Sequence, residues 1–367
     1  MKRNAMIAMS GGVDSSVAAF LMKERGFGCV GVTMKLFSNE DVGIARDDTC
    51  CSLKDTDDAR GVAYRLGIPH YVFNFSGDFI EQVIRRFAEA YENGLTPNPC
   101  VDCNRYIKFE RLLLRARELE YSFLATGHYA RIQKDGAKGR YLLLKALDDA
   151  KDQSYFLYSM TQDQLAHTLF PLGELRKKEV REIASAQGFL NARKRESQDV
   201  CFVSGAGEEK GCGYADFIER YRGRPSEEGN FLDPEGRVLG RHKGLVRYTV
   251  GQRKGLGIAF ARPLYVCGKD PETNTVTLGE DRFLYSKTLF AHSLNWIGVP
   301  PGSALRVRAR TRYRQAEQWA TVERVAEDEM RVEFDEPQRA VAAGQAVVLY
   351  DEDRVVGGGT ILRERAS

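Results

Sequence analysis

At 367 residues the chain is longer than a single hydrophobic core usually serves, so two or three domains are expected. Its 43% hydrophobic and 29% charged content is that of a globular protein, it holds no run of about 18 apolar residues that would span a membrane, and eight cysteines without scaffold-like spacing belong in a reducing compartment. A net charge of +3 is too small to signal nucleic-acid binding by itself, so the distribution of charge matters more than its sum. The opening "MKRNAMIAMSGG" has two basic residues and an apolar run too short for a signal peptide, leads into a glycine-rich turn, and reads as mature structure of a cytoplasmic protein.

Up to about Thr126, short apolar runs alternate with amphipathic ones, the pattern of a parallel sheet wound with helices. Strands are expected at Ala5 to Met9, Cys29 to Phe37, His70 to Phe75 and Tyr121 to Thr126. Helices are expected at Val17 to Glu24, Leu53 to Leu66 and Phe79 to Glu92, each stopped by a glycine, Gly26, Gly67 or Gly94. Ile107, Phe109, Leu112, Leu113 and Ala116 make a helical stripe over Asn104 to Glu118. That helix would begin straight after the pair Cys100 and Cys103, placing Cys103 near an N-terminus whose partial positive charge favours thiolate.

From about Asp152 to Gln187 the pattern is mainly helical, and "ESQDVCFV" returns to strand-like residues. After Gly205 turn signals multiply, as in "GNFLDPEGRVLGRHKG", and predict a β-rich insert of hairpins. Past Asp281, strands at short spacing predict a small antiparallel barrel. The expected organisation is an α/β wound parallel sheet over 1–205, a small β-rich central domain over 206–280 and a C-terminal antiparallel β-barrel over 281–367.

"MIAMSGGVDSSVAAFL" is a strand, a Ser-Gly-Gly turn and a helix start. Gly11 and Gly12 allow close backbone approach to an anion, and the free N–H groups at the helix start would point at it. The Walker lysine is missing, so gripping a transferable γ-phosphate is not the obvious task. Ser-Gly-Gly-Val-Asp-Ser on the first strand of a wound sheet resembles the PP-loop ATP pyrophosphatases, which split ATP between the α and β phosphates. The resemblance implies AMP transfer to an oxygen, magnesium near Asp14 and pyrophosphate on the Ser10 to Ser15 backbone.

"TPNPCVDCNR" leaves three roles open for its cysteines: half a metal site, a redox pair or a nucleophile. Cys201 in an apolar run would by itself be core filler, but the polar stretch Lys194 to Asp199 before it suggests a strand leaving the edge of a site. A zinc site lacks a second C-x-x-C or a suitable His pair. Cys29, Cys212 and Cys267 read as structural, with Cys50 and Cys51 as weak candidate donors. In "LRVRARTRYR", Arg306, Arg308, Arg310, Arg312 and Arg314 alternate, so a strand would project all five from one face about 6.8 Å apart, near the spacing of nucleic-acid phosphates. A solvated barrel face is the bland reading, though such faces usually mix signs.

"MSGGVDSSVAA", "GLTPNPCVDCNRYIKF", "ATGHYAR", "KDQSYFL", "ESQDVCFV", "YTVGQRKGLGI" and "RTRYRQ", in this order, resemble the tRNA-specific 2-thiouridylases, a PP-loop family, along nearly the whole chain. The resemblance implies 2-thiolation of the wobble uridine in glutamate, glutamine and lysine tRNAs, with the C2 oxygen adenylated by ATP and Mg2+. A persulfide on Cys201, fed by a cysteine desulfurase or sulfur-relay protein, would attack C2, and Cys103 would resolve it as a disulfide. It implies ATP contacts at Ala8, Met9, Ser10, Gly11, Gly12, Val13, Asp14, Ser15, Met34 and Gly127. RNA contacts would fall at Asn98, Pro99, Cys100, His128, Lys151, Asp152, Gln153, Arg312, Tyr313 and Gln345.

One departure stands out: many members carry aspartate where this chain has Cys100, and here the carboxylate is displaced to Asp102. The change opens a second chemistry, a [4Fe-4S] cluster on Cys100, Cys103 and Cys201. Further alternatives are another PP-loop ligase, which needs neither the Cys103 and Cys201 pair nor the arginine strand, and a redox-controlled RNA-binding protein with a vestigial ATP loop.

Overall fold

The computed structural model describes residues 3–38, 41, 53–136, 139–194, 200–203, 213–300 and 302–363. The chain forms two compact units, one of Met1–Val83, Cys100–Glu208 and Asp353–Val356, the other of Ile84–Pro99, Glu209–Glu352 and Gly357–Ser367.

In the first unit, strands β1 (Asn4–Ala8), β2 (Gly28–Lys35), β3 (His70–Asn74), β4 (Phe123–Ala125) and β7 (Thr168–Leu169) form one sheet in the order β3-β2-β1-β4-β7, every pair parallel. The hairpin β5 (Arg131–Asp135) and β6 (Arg140–Leu144) intervenes in sequence, and Leu143 and Leu144 pair with Val355 and Arg354. Unbroken apolar runs at the centre of β1 and β2 are what a sheet covered on both faces requires. Helix α1 (Val13–Glu24) offers mostly small residues inward, Ala18 and Ala19 among them, and so lies close against the helices Leu53–Leu66 and Lys177–Ala186. Among the described residues no helix is long and apolar enough to cross a membrane.

The second unit holds a four-stranded sheet, β8 (Gly229–Leu232), β9 (Val238–His242), β10 (Tyr265–Asp270) and β11 (Thr275–Gly279), in the order β10-β11-β8-β9 over a core of Phe231, Val266, Val276 and Leu278. The expected hairpins are present, and β11 joins them through a parallel pairing with β8. Six further strands follow: β12 (Tyr285–Trp296), β13 (Leu305–Arg310), β14 (Gln318–Ala326), β15 (Glu329–Arg339), β16 (Ala346–Asp351) and β17 (Arg354–Ile361). They run in the order β12-β15-β14-β13-β16-β17, and β12 pairs again with β17, closing the barrel and leaving it no open edge.

Three local expectations are corrected. The helix carrying the cysteines starts at Pro99, earlier than expected, and changes hydrogen-bond register, with α geometry over Pro99–Asp102, π geometry over Cys103–Leu112 and α geometry over Leu113–Glu118. Proline suits a first helical position because its missing N–H would be unpaired there anyway. Cys201 lies in a turn, not a strand: Val203 N donates to Val200 O at 2.9 Å, and Phe202 meets its apolar requirement against Phe79, ring to ring at 5.8 Å, without a sheet partner. The residues before it, 195–199, lie outside those described, as do Cys50, Cys51 and Cys212. The arginine strand ends at Arg310, where Gln315 Oε1 accepts from Thr311 N and Oγ1 at 2.8 Å and bends the chain, so Arg312 and Arg314 leave the shared face.

A turn at Ala342 to Gln345 ties down the chain ahead of the cysteines. Thr96 N donates to Ala343 O at 2.8 Å, and Gln345 Nε2 donates to Thr96 O at 2.9 Å and to Pro97 O at 3.3 Å. Gly344 sits at φ +88°, and a Cβ there would stand 3.0 Å from Leu95 Cβ and 3.1 Å from Thr96 N. Gly344→Val combines left-handed strain with this contact and should lower the unfolding free energy by about 1–3 kcal/mol, read from urea unfolding; an unchanged midpoint would mean that the turn does not brace the segment.

Candidate functional site

The phosphate turn follows β1. Gly11 takes φ +71°, and a Cβ on it would stand 2.2 Å from Asp55 O, so only glycine lets the two backbones meet. Gly12 is the N-cap of α1 and has no side chain, so no N-cap side chain takes up the first N–H groups of this twelve-residue helix. Gly127, after β4, also comes too close for a side chain: its Cβ would stand 2.8 Å from Ser15 N. Ser15 Oγ accepts from Ser10 N at 3.2 Å and donates to Gly12 O at 3.0 Å, fixing the turn from inside. The side chains and backbone present therefore fit a bound pyrophosphate.

Charges surround this cradle that the sequence did not single out. Lys177 Nζ donates to both carboxylate oxygens of Asp14 at 2.7 and 2.8 Å, and Tyr129 OH donates to Asp14 Oδ1 at 2.8 Å. Asp14 thus meets a cation already, and a magnesium ion there would exchange with Lys177 or share the carboxylate with it. Lys194 Nζ contacts Asp55 Oδ1 at 2.5 Å, Asp58 Oδ2 at 2.6 Å and Gly11 O at 3.3 Å. Burial opposes its charge, and the two aspartates outweigh burial and raise its pKa. Asn191 Nδ2 donates to Gly11 O and Ser16 Oγ, both at 2.9 Å, while its buried Oδ1 has no partner among the described residues. One sequence signal was present for Lys177: a lysine in the first turn of a helix opposes the helix dipole and needs another reason to be there.

Of the other nucleotide candidates, Ala8 ends β1 and Met34 lies on β2, half-buried. Met9 is buried, its N–H on Val32 O at 2.8 Å and its carbonyl accepting from Thr33 Oγ1 at 2.8 Å.

Cys103 opens the π segment and is half-buried. The expected lowering of its pKa is overturned: burial raises it, Lys108 acts to lower it, and Asp102 raises it further. The helix start lies at Pro99, so Cys103 is past the turn where the dipole acts most strongly. Cys100 is exposed as a residue, yet its thiol is enclosed enough that burial, then Cys103, push its pKa up to about 11 against the lowering effect of Lys108. Both thiol-bearing segments border the short helix Ser76–Phe79. Phe202, beside Cys201, packs on Phe79, and Arg111, two turns beyond Cys103, pairs with Asp78 at 3.1 Å. Among the described residues no three His, Cys, Asp or Glu side chains gather as a ligand set, so Cys100, Cys103 and Cys201 are not assembled as three corners of a cluster.

Several candidate RNA contacts turn inward. His128 is buried between Phe109 and Phe170, with Nδ1 2.7 Å from Thr126 Oγ1 and Nε2 3.4 Å from Lys108 Nζ. Asp152, 4% exposed, accepts from Ala146 N, Ser154 N and Ser154 Oγ. Gln153 Oε1 accepts from Tyr129 N at 2.9 Å. Asp152 and Gln153 brace loops, and Lys151 beside them is half-buried.

In the second unit Asn98 is half-buried and Pro99 buried. The arginine face of the barrel mixes signs after all: Arg306 pairs with Asp335, and Arg310 with Glu317 at 3.5 Å. Arg306 and Arg308 flank the half-exposed Trp319 at 5.1 and 5.0 Å from its ring. Arg312, exposed, donates to the carbonyls of Arg339 and Ala340, and Tyr313 follows it in the turn.

Burial, then Lys108, lower the His128 pKa well below 6.5, so below about pH 6.5 the unfolded imidazole binds a proton that the folded one refuses. The stability contribution is complete above that pH and shrinks as pH falls towards the folded value. His128→Gln should therefore narrow the difference in urea midpoint between about pH 7.5 and about pH 5.5. His70 and His242, also lowered, keep part of it. Gly11→Ala should weaken ATP binding at least about tenfold by calorimetry; unchanged affinity would place the nucleotide elsewhere.

Residues 3–205 match the family model described as the tRNA methyl transferase HUP domain, 215–280 the tRNA methyl transferase PRC-barrel domain and 286–361 the aminomethyltransferase beta-barrel domain. Over the whole chain, similarity is to "tRNA-specific 2-thiouridylase MnmA" of Clostridioides difficile (strain 630), 48% identical and covering 98% of each chain. The protein of the same name from Moorella thermoacetica is 52% identical over 97% of this chain and 98% of its own. On this full-length similarity, the chain belongs to the tRNA-specific 2-thiouridylase family.

Proposed function

We propose that the chain performs ATP-dependent 2-thiolation of the wobble uridine of tRNA, as a transferase that releases AMP and pyrophosphate. The observation that supports this best is that one compact unit carries both an uncapped Gly-Gly helix start and two thiol segments bordering the same short helix. ATP would be held by Ala8 to Ser15, Met34 and Gly127, with Mg2+ near Asp14, and supplies the AMP group that makes the uridine C2 oxygen a leaving group.

The terminal sulfur of a Cys201 persulfide attacks C2, the C2–O bond breaks and AMP departs with its electrons. The Cys103 thiolate, its proton released to solvent, then attacks Sγ of Cys201. The S–S bond to the transferred sulfur breaks, the electron pair stays with the sulfur on C2, and Cys103 and Cys201 are left as a disulfide for the donor system to reduce. With its pKa raised to about 11, Cys100 is a poor stand-in for the family aspartate, so either Asp102 or a water serves in proton transfer or the role is dispensable.

The proposal extends to a three-part organisation with divisions after residues 205 and 280. The tRNA is contacted through Asn98, Pro99, Cys100, Lys151, Arg312, Tyr313 and Gln345, with His128, Asp152 and Gln153 shaping the surface from beneath. Glutamate, glutamine and lysine tRNAs are the proposed acceptors, a desulfurase or relay protein the donor, and the cytoplasm the compartment.

The protein incubated anaerobically with ATP, tRNA and a persulfide donor should give 2-thiouridine by nucleoside mass spectrometry, and AMP instead of ADP. Cys201→Ser should reduce thiolation to background. Full turnover in this variant would remove the persulfide from Cys201, and ADP release would reject the PP-loop reading.

A further inference from the structure

Resolution of a persulfide requires Cys103 as thiolate, yet the thiol is half-buried, and burial and the neighbouring Asp102 both oppose negative charge on it. The helix dipole gives little help at this position. Lys108 is the group that favours the thiolate, and the geometry explains how it does so. In an α-helix, residues five apart point in different directions, whereas the wider turn of i→i+5 hydrogen bonding brings residue i+5 back towards the face of residue i. The π segment begins at Cys103, so its first wide turn returns Lys108 towards the side of the helix that carries that thiol, where its charge acts on the sulfur. On the far side the ammonium lies 3.4 Å from His128 Nε2, and His128 is fixed through Nδ1 to Thr126 Oγ1 and wedged between Phe109 and Phe170.

We propose that Lys108 is the positioning cation of Cys103: the π turn holds its ammonium on the side of the thiol, and the His128–Thr126 pair holds the ammonium in place. This rests on the role of Cys103 as resolving thiol. A neutral imidazole is the form this arrangement needs, because its Nε2 lone pair can then accept from Lys108 while Nδ1–H donates to Thr126 Oγ1. His128 thereby acts on the sulfur chemistry from behind, without touching RNA. A role for Lys108 limited to packing would depend on its hydrogen bond and not on its charge.

The test separates the two. Lys108→Gln keeps an N–H donor and removes the charge, Lys108→Met keeps the stem alone, and Lys108→Arg restores the cation. Alkylation of Cys103 by iodoacetamide, resolved by site with tandem mass spectrometry and followed over pH, reads the thiolate fraction without ATP or tRNA. Removing a cation from beside a thiolate should lower the rate near pH 8 about tenfold in Lys108→Gln and shift the profile to higher pH, with Lys108→Arg returning it towards the parent. The pH profile of tRNA thiolation should shift in parallel. A superimposable alkylation profile in either neutral variant, shown folded by its urea midpoint, would overturn the proposal. A shifted alkylation profile with no thiolation by the parent would keep the charge coupling and remove its catalytic use, rejecting the proposed function instead.

Discussion

The architecture of the first unit depends on backbone touching backbone where a side chain would forbid it. Gly11 meets the carbonyl of Asp55, and Gly127 meets the amide of Ser15, so the turn after β1, the start of the helix Leu53–Leu66 and the loop after β4 converge at the head of α1. Parallel strands aim their carboxyl ends at one edge of the sheet, and this convergence is where that edge becomes a cradle. Asp14, Lys177 and Lys194 are placed around it as a result, each pair formed between residues remote in sequence.

The sulfur side follows a different logic. Burial favours neutral thiols, which protects them from stray oxidation, while the reaction needs a thiolate at the right moment. A lysine anchored by a buried histidine reconciles these demands, with desolvation setting a high resting pKa and one fixed charge lowering it locally. The charge of the same lysine also acts on Cys100, where burial and Cys103 outweigh it and push the pKa up to about 11.

The sequence revealed most where a local rule sufficed. Leu53–Leu66 has the helix bounds its periodicity predicts, and the Ser-Gly-Gly turn declares itself because glycine at a strand-to-helix junction has few other uses. What escaped was relational. Lys177 and Asp14 are 163 residues apart, and neither residue announces the other. Five alternating arginines looked like one positive face because Asp335 and Glu317 arrive from elsewhere in the chain and because the strand stops at Arg310. Val-Cys-Phe-Val looked like a strand because apolar residues signal burial whether a sheet or an aromatic neighbour provides it. The π register was invisible because the apolar stripe of Ile107, Phe109 and Leu112 fits an ordinary helix nearly as well.

That register makes chain length a chemical variable between the second cysteine and Leu112. Relaxing this stretch into ordinary helix with no change of length would leave the lysine five positions from that cysteine and turned to another side of the helix. Losing one amino acid between the two at the same time would put the ammonium four positions on, back on the face of the cysteine. Evolution can vary the identity of many positions here more freely than it can vary their number.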